Sequence, residues 1–378
     1  MATLAFYGAS FVDGGVISGG SYNLYLDGAI ASFAGDYFTT FYDHGTGGET
    51  VSDMKTRLAA VIADSPTHVL FTPGPNDMDS TQETPVDDWF ADVMDICTGL
   101  RQAGIVVYLC TPAPRDYLMD TAAYDRWRSY ISRLLAQPYG PEGLANRLIR
   151  LDNTAYTVNG ENVNPIMAND PSATPHPNVL GCYTLAQPIL NAIWSDLSPD
   201  EHTLLSGAES LLLGNDGTVS GAQGTLPDGW LYDGSGSSVN AETGLVNLGD
   251  RYGIRVGLAN AVGASGADVL YGPDISATTG DVMEAVFRFE VLEEMRGVCS
   301  VAPFIWDGTS AVVNGWSART TTDDEGMITG SFTTMIRSPR YTATVTGAHK
   351  VGVIIQYRNG GQASGAFALS SPQLRKYT

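Results

Sequence analysis

The chain has 378 residues, of which 43% are hydrophobic and 16% are charged, and its formal net charge is -21 at pH 7. This composition is typical of a folded globular protein, and the length favours two domains over one core. The negative charge argues against nucleic acid or an anionic membrane as partner, because its field repels polyphosphate.

The first 200 residues alternate strands and helices. Predicted strands cover 4–7, 37–42, 68–72, 105–110 and 147–151, and predicted helices cover 22–33, 49–64, 86–97, 124–135 and 179–194. Strands separated by helices indicate an α/β fold, a flavodoxin-like three-layer α/β/α arrangement around a mostly parallel sheet. Ligands of such sheets bind outside the carboxyl ends of the strands, so residues that follow strands are the candidates for a site.

The character of the chain changes near residue 200. Residues 207–378 are dense in Gly, Ser, Thr and Asn, with alternating apolar positions at 282–291, 301–306, 331–336, 351–357 and 365–369. Short strands between glycine-rich turns predict an all-β jelly-roll sandwich. We therefore expect two domains, at 1–200 and 207–378.

The N-terminus carries no recognisable secretory signal, because residues 1–3 lack a basic segment and the first strand follows directly. No run is long and apolar enough to span a bilayer. We expect cytoplasmic synthesis, which leaves open association with a phage virion. The four cysteines lack the paired spacing of a zinc site or disulfide framework and predict reduced thiols; they are Cys97, Cys110, Cys182 and Cys299.

Four motifs at strand ends or before a helix carry groups suited to acyl transfer. Ser10 follows the first strand, Gly48 and Asn76 follow later strands, and His176 precedes the last helix. A hydroxyl nucleophile needs a base to take its proton and fixed N–H groups to hold the oxyanion. Taken singly, each motif is weak. A serine after a strand and before a helix is an N-cap in roughly two cases of three. The segment around Asn76 is equally consistent with a turn, and His176 is equally consistent with a surface loop residue. Their joint placement favours a serine hydrolase.

The same motifs resemble those of the SGNH, or GDSL-type, hydrolases. Residues 7–14 (YGASFVDG) resemble the nucleophile block of that family, 43–50 (DHGTGGET) its glycine block, 74–77 (GPND) its third block, and 176–178 (HPN) its last block. The resemblance implies Ser10 as nucleophile, Gly48 and Asn76 as oxyanion donors and His176 as general base.

The chain departs from the family pattern at two positions. Ala9 stands where the family has Asp, and Ala173 stands where the triad aspartate is usual, three residues before His176. Asp170 is the nearest acid and is the residue we expect to orient the imidazole.

Other polar and aromatic residues near these motifs are expected to have structural roles. His44 lies within the glycine block and His68 begins a strand, so neither is favoured as the base. Asp13, Glu49 and Asp77 are expected to fix loops through hydrogen bonds. Trp89 and Trp127 lie on helical apolar stripes and are expected in the core.

In the second half, residues 226–230 and 371–374 resemble carbohydrate-binding jelly-roll modules of phage tail and polysaccharide-active proteins. Aromatic side chains there either stack on sugars or fill the sandwich core; they are Trp230, Trp306, Trp316 and Tyr271. No cofactor is expected, although acidic turns at Asp216 and at residues 323–325 leave open a structural calcium.

Together these features predict a serine esterase that removes short acyl groups, O-acetyl above all, from a carbohydrate or polysaccharide. The alternatives are a lipase or thioesterase acting on longer acyl chains, and a non-catalytic phage tail or adhesion protein that retains the fold. The expected partner is an acylated polysaccharide or a small ester, with no nucleic acid and no membrane. The sequence leaves the oligomeric state open.

Overall fold

The computed structural model describes residues 2–13, 26–34, 37–79, 81–114, 120–158, 162–163, 168–170, 174–177, 179–198, 202–204, 218–220, 223–249, 251–264, 266–308, 311–313, 332–338, 340–357 and 361–377. The chain divides into two compact units, one formed by most of the chain up to Pro199 and the other from Asp200 onward. Each unit is described by itself below.

The first unit is built on a five-stranded parallel sheet. Its strands are β1 (Thr3–Gly8), β2 (Thr40–Gly45), β3 (His68–Thr72), β4 (Val106–Cys110) and β5 (Arg147–Ile149). They lie in the order β2-β1-β3-β4-β5, and every neighbouring pair is parallel. This is the flavodoxin-like order, in which the chain reverses direction at β1. The predicted mostly parallel sheet is confirmed.

Among the described residues, five α-helices accompany this sheet. They are α1 (Leu26–Ala34), α2 (Val51–Ala63), α3 (Val86–Gln102), α4 (Thr121–Leu135) and α5 (Val179–Asp196). α2 contacts α3 and α3 contacts α4, whereas α1 contacts α5. Right-handed crossovers on either side of β1 place these two groups on opposite faces of the sheet.

The α2–α4 face holds a continuous apolar core. Trp89, Val93 and Trp127 are buried in it together with alternate side chains of β1, β3 and β4. α2 begins with a capping box, in which Thr50 accepts a hydrogen bond from the N–H of Asp53 and the Asp53 carboxylate accepts one from the N–H of Thr50. Cys97, Cys110 and Cys182 are buried and form no disulfide, as predicted.

Two short hairpins follow β5. One pairs β6 (Thr157–Val158) with β7 (Asn162–Val163), and the other pairs β8 (Ala168–Asp170) with β9 (Thr174–Pro177), both antiparallel. β9 leads into α5. No helix of the described residues is long and apolar enough to cross a bilayer.

The second unit consists mostly of strands. They are β10 (His202–Leu204), β11 (Thr218–Ser220), β12 (Gln223–Gly224), β13 (Leu231–Asp233), β14 (Ala241–Asn247), β15 (Tyr252–Ala264), β16 (Ala267–Ala277), β17 (Val282–Arg296), β18 (Val298–Trp306), β19 (Ala311–Val313), β20 (Phe332–Arg337), β21 (Tyr341–Thr342), β22 (Gly347–Tyr357) and β23 (Gly361–Tyr377). One sheet has the order β12-β14-β15-β23-β17-β20, with β10 on β23 and β21 on β17, and the other has the order β11-β13-β16-β22-β18-β19. Most pairs are antiparallel, and the jelly-roll connection pattern stays a prediction.

The aromatic candidates of this unit fall into three groups. Trp230 is 1% exposed and belongs to the core. Tyr271 and Trp306 are partly exposed, and their ring centroids lie 6.1 Å apart. Trp316 and the acidic residues proposed for calcium, Asp216 and residues 323–325, lie outside the described residues.

Candidate active site

Ser10 lies on a sharp turn at the carboxyl edge of the sheet. β1 ends at Gly8, Ala9 is extended, and Ser10–Val12 form one 3-10 turn closed by a hydrogen bond from the Val12 N–H to the Ala9 carbonyl, 3.1 Å. Phe11 and Val12 are buried while Ser10 is partly exposed. A Cβ on Gly8 would lie 2.1 Å from Thr72 Oγ1 and 2.7 Å from the Thr72 carbonyl oxygen. Only glycine therefore allows β1 to approach β3 this closely just before the serine.

His176 meets Ser10 across 166 residues of sequence. Its Nε2 atom lies 2.9 Å from Ser10 Oγ, a hydrogen-bond distance. The imidazole is positioned by β9, and its centroid lies 6.0 Å from that of the Phe11 ring. The two residues that the sequence assigns as nucleophile and base are thus within proton-transfer reach of each other.

The glycine loop after β2 lies on one side of Ser10. The Gly47 N–H donates to Asp13 Oδ2 at 2.7 Å, and a Cβ on Gly47 would lie 3.9 Å from the Ser10 Cβ. Gly48 has a φ of +81°, in the left-handed region that favours glycine. Among the described residues, neither the Ser10 N–H nor the Gly48 N–H has a hydrogen-bond acceptor. Both N–H groups therefore remain available as hydrogen-bond donors.

Asn76 comes from the next strand along the edge. It lies on the 3-10 turn Pro75–Met78 after β3, is 6% exposed, and its Nδ2 donates to the Glu49 carbonyl oxygen at 2.8 Å. A Cβ on Gly74 would lie 2.6 Å from the Ala9 Cβ and 3.7 Å from Asn76 Nδ2. The amide therefore lies close to both the nucleophile turn and the glycine loop.

Asp77, next to Asn76, is hydrogen-bonded to the start of α2, where the glycine loop ends. It is fully buried, and its carboxylate accepts hydrogen bonds from the Val51 N–H at 2.9 Å and the Thr84 hydroxyl at 2.8 Å. Burial raises the pKa of Asp77 from 3.8 to about 6. Because Val51 begins α2, this carboxylate fixes the point where the glycine loop enters the helix.

Glu49 and Asp13 also hold loops, as the sequence predicts. The Glu49 carboxylate accepts a hydrogen bond at 2.8 Å from Arg57 Nε, and the Arg57 guanidinium lies over the Tyr7 ring, 5.7 Å from its centroid. Asp13 joins the nucleophile turn to Gly47. None of these three acids is hydrogen-bonded to His176 or Ser10 in the described contacts.

Asp170 is placed near His176 by its backbone. The β8–β9 hairpin pairs Asp170 with Thr174, two residues before the histidine. The side chain of Asp170 lies outside what the structure describes, so its role as orienting acid stays a prediction.

Two other histidines are bound elsewhere. His44 Nε2 lies 2.8 Å from Asp64 Oδ2. His68 Nδ1 lies 2.8 Å from Thr67 Oγ1, its ring stacks on Tyr108, and burial lowers its pKa. His68 begins β3 and so lies at the amino ends of the parallel strands, whereas Ser10 lies at their carboxyl ends. In the described contacts, neither histidine is hydrogen-bonded to Ser10.

A buried pair of polar side chains, Thr111 and Asp152, lies at the ends of β4 and β5, outside the motifs that predicted the site. Thr111 Oγ1 donates to Asp152 Oδ1 at 2.5 Å and accepts a hydrogen bond from the Leu151 N–H at 2.9 Å. Both Thr111 and Asp152 follow strand ends closely, which is the signal that identified Ser10 and Asn76. In the described part of the chain, no cluster of three or more His, Cys, Asp or Glu side chains is arranged to hold a metal ion.

Several solved hydrolases are similar to this chain. They are a lipase/acylhydrolase from Enterococcus faecalis (19% identity, covering 53% of this chain and 100% of that chain, TM-score 0.39), a GDSL-like lipase from Bacteroides thetaiotaomicron (17%, 52% and 89%, 0.38) and an acetylxylan esterase from Geobacillus stearothermophilus (18%, 51% and 94%, 0.38). No family model and no curated protein matches the sequence. At these identities and TM-scores the likeness carries no argument about activity, so the function proposed below rests on the geometry of the site.

Proposed function

We propose that the protein is a serine-dependent carboxylic ester hydrolase. The observation that carries this proposal is the 2.9 Å contact between Ser10 Oγ and His176 Nε2. Beside it lie two backbone N–H groups without acceptors among the described residues and the amide of Asn76. A nucleophile within reach of a base, next to fixed donors, is the arrangement that acyl transfer requires.

The first half of the reaction acylates Ser10. His176 Nε2 accepts the Ser10 hydroxyl proton as Oγ bonds to the ester carbonyl carbon, and the carbonyl oxygen becomes an oxyanion. The N–H groups of Ser10 and Gly48 and the Asn76 amide hold that charge. The tetrahedral intermediate then collapses, the bond to the alcohol oxygen breaks, and His176 gives its proton to the departing alcohol.

The second half regenerates the enzyme. His176 Nε2 takes a proton from water as the water oxygen attacks the acyl carbon. The new intermediate uses the same donors, its bond to Ser10 Oγ breaks, and His176 returns the proton to that oxygen. A carboxylic acid leaves. For Nε2 to accept a proton, Nδ1 must carry one, and Asp170 is our proposed acceptor for that N–H.

We further propose that the substrate is a short-chain ester, O-acetyl above all, on a carbohydrate or polysaccharide. This rests on the resemblance of the second unit to sugar-binding modules and on its two partly exposed aromatic rings, Tyr271 and Trp306. A polymer held by one unit raises the effective concentration of ester at the other.

Replacing the nucleophile tests the reaction. The full chain should hydrolyse p-nitrophenyl acetate and release acetate from a panel of acetylated glycans, and Ser10→Ala should reduce both to background. Ser129→Ala is the matched control, because Ser129 is exposed on α4 and its hydroxyl bonds only the Asp125 carbonyl among the described contacts. Failure of the wild-type chain to hydrolyse any ester, or full activity of Ser10→Ala, would refute the proposal. If the chain hydrolyses p-nitrophenyl acetate but releases no acetate from any glycan, the proposed esterase activity stands and the proposed carbohydrate substrate is refuted.

A further inference from the structure

The loop that joins β3 to α3 carries Asn76 and closes on itself at a neck formed by Asp77 and Thr84. The Thr84 N–H donates to the Asp77 carbonyl oxygen at 3.1 Å, and the Thr84 hydroxyl donates to the Asp77 carboxylate at 2.8 Å. Both bonds lie within the loop, so they fix its shape and leave its position to be set by bonds to other elements.

One of those positioning bonds comes from α4. Tyr130 is fully buried, and its hydroxyl lies 3.1 Å from the Asp77 carbonyl oxygen and within hydrogen-bond distance of the Thr84 carbonyl oxygen. Burial raises the pKa of the Tyr130 hydroxyl, so the hydroxyl keeps the proton that it donates. Because both acceptors belong to the neck, one side chain of α4 holds the loop at the point where it closes.

The Tyr130 ring is itself held in place. It stacks on the ring of Trp89, with centroids 4.3 Å apart and planes 10° apart. Trp89 is fully buried near the start of α3, the helix that follows Thr84. The neighbouring Trp127 ties α4 to the loop after β4, because its Nε1 donates to the Pro112 carbonyl oxygen at 3.0 Å. A close-packed ring of this kind transmits the position of its helix to the atoms that it bonds.

We infer that Tyr130 is a positioning residue of the proposed esterase, which acts by holding the Asn76 amide in line with the oxyanion. The inference rests on the proposed ester hydrolysis and adds a residue of α4 to the groups that determine its rate. Asp77 follows Asn76 directly, and its carboxylate accepts the Val51 N–H at 2.9 Å. Asp77 is thus held by two helices, α4 through its carbonyl oxygen and α2 through its carboxylate, and Asn76 is held with it.

The Tyr130 hydroxyl acts at a distance from the reacting groups. In the described contacts it is bonded to neither Ser10 nor His176. Its removal should therefore disturb only the part of catalysis that depends on Asn76. Such a role has a signature that a purely structural one lacks: the hydroxyl should affect the rate while Asn76 is present and have no further effect once Asn76 is replaced.

The test compares Tyr130→Phe with the wild type in the full chain, with p-nitrophenyl acetate as substrate. Phenylalanine keeps the ring on Trp89 and removes only the hydroxyl. We expect kcat to fall by about 10- to 100-fold, because a displacement of about 1 Å at a reacting site has effects of that size. KM should change little, since the donor acts on charge that develops after binding. In the Asn76→Ala background the same substitution should change kcat by less than about twofold.

Tyr139→Phe is the matched control. The Tyr139 hydroxyl donates to the Leu134 carbonyl oxygen at 2.7 Å, so this substitution removes the same kind of bond beyond the carboxyl end of α4. It should shift the urea midpoint by a similar amount and leave kcat unchanged. If Tyr130→Phe does not fold, Thr84→Val decides instead: it removes the hydroxyl bond at the same neck and should show the same dependence on Asn76.

An unchanged kcat in Tyr130→Phe would overturn the inference, and so would an equal loss of kcat with and without Asn76. Ser10-dependent hydrolysis by the wild type would in either case still support the proposed function. Absence of Ser10-dependent hydrolysis for every ester would overturn both.

Discussion

Replacing Asn76 by alanine separates catalytic loss from structural loss at this site. In the free protein the Asn76 amide donates to the Glu49 carbonyl oxygen at 2.8 Å. The proposed mechanism directs its other N–H at the oxyanion. Asn76→Ala removes the bond to Glu49 and the proposed oxyanion donor, and it leaves Ser10 and His176 unchanged.

The two losses differ in size. Each neutral hydrogen bond that is removed costs about 0.5–1.5 kcal/mol of unfolding free energy. Removing one oxyanion donor costs about 2.7–4 kcal/mol in the activation barrier, a loss of about 100- to 1000-fold in kcat. We therefore expect a folded variant with a small shift in its urea midpoint and a large fall in kcat. KM should change little, because the donor acts on charge that develops after binding.

Steady-state hydrolysis of p-nitrophenyl acetate, paired with urea unfolding, measures both quantities. Asn146→Ala is the matched control: the Asn146 side-chain oxygen accepts a hydrogen bond from the Val107 N–H at 2.8 Å, at the opposite edge of the sheet. It should show a comparable stability loss and an unchanged kcat. An unchanged kcat in Asn76→Ala, or equal kinetic effects in both variants, would show that Asn76 is not an oxyanion donor.

Three further predictions concern the supporting residues. If Asp170 accepts the hydrogen bond from the His176 Nδ1–H, Asp170→Asn should lower kcat by up to about four decades. If kcat and the pH–rate profile change little, another group accepts that hydrogen bond. Because burial raises the pKa of Asp77 to about 6, the folded chain binds that proton more tightly than the unfolded chain, and its contribution to stability falls as pH rises from about 4 to about 6. Between these pH values, the free energy of unfolding of the wild type should fall by at most about 3 kcal/mol relative to that of Asp77→Asn. If urea unfolding gives the same difference between the two proteins at every pH, this prediction is wrong. Gly45→Ala should lower both Tm and kcat, because its Cβ would lie 2.3 Å from the Val12 carbonyl oxygen. A Cβ on Gly48 would meet no atom within 4 Å, so Gly48→Ala should cost only about 1–2 kcal/mol of backbone strain. Equal losses of Tm in the two variants would contradict this prediction.

The sequence predicted the sheet well where periodicity is local. β3 matches its predicted bounds, and α2 and α4 lie within a few residues of theirs, because buried side chains recur at helical spacing. The strand predicted at 37–42 was partly wrong. Residues Tyr37 and Phe38 form a turn by donating to the Ala34 carbonyl, and β2 instead runs from Thr40 to Gly45. Its end is set by pairing with β1, a long-range constraint that local alternation does not contain.

The last strand shows the same limit. Residues 365–369 were predicted as a short strand, whereas β23 runs from Gly361 to Tyr377. Ser371-Pro372 looks like a strand end, yet Ser371 takes a φ of +48° and the register with β17 shifts there, so the chain passes through a bulge and continues. A proline and a left-handed residue predict a break, and only the neighbouring strand decides whether pairing resumes.

The site was predictable to the extent that topology alone brings its parts together. Ser10, Gly48 and Asn76 follow β1, β2 and β3, which are neighbours in a parallel sheet, so their meeting at one edge follows from the strand order. The position of the Asp170 side chain depends on the conformation of the β8–β9 hairpin, and strand order says nothing about that.

The proposed oxyanion donors come from separate turns, and the hydrogen bonds that hold these turns run between them. Asp13 of the nucleophile turn accepts the Gly47 N–H, Asn76 donates to the Glu49 carbonyl, and Asp77 accepts the N–H of Val51. Each contact joins the end of one strand to the loop after another. Preorganised donors stabilise a transition state because they need no reorganisation when charge appears. In this chain that preorganisation depends on the sheet holding three loops in register, so the donors should lose their alignment when any one of these bonds is removed, even with Ser10 and His176 intact.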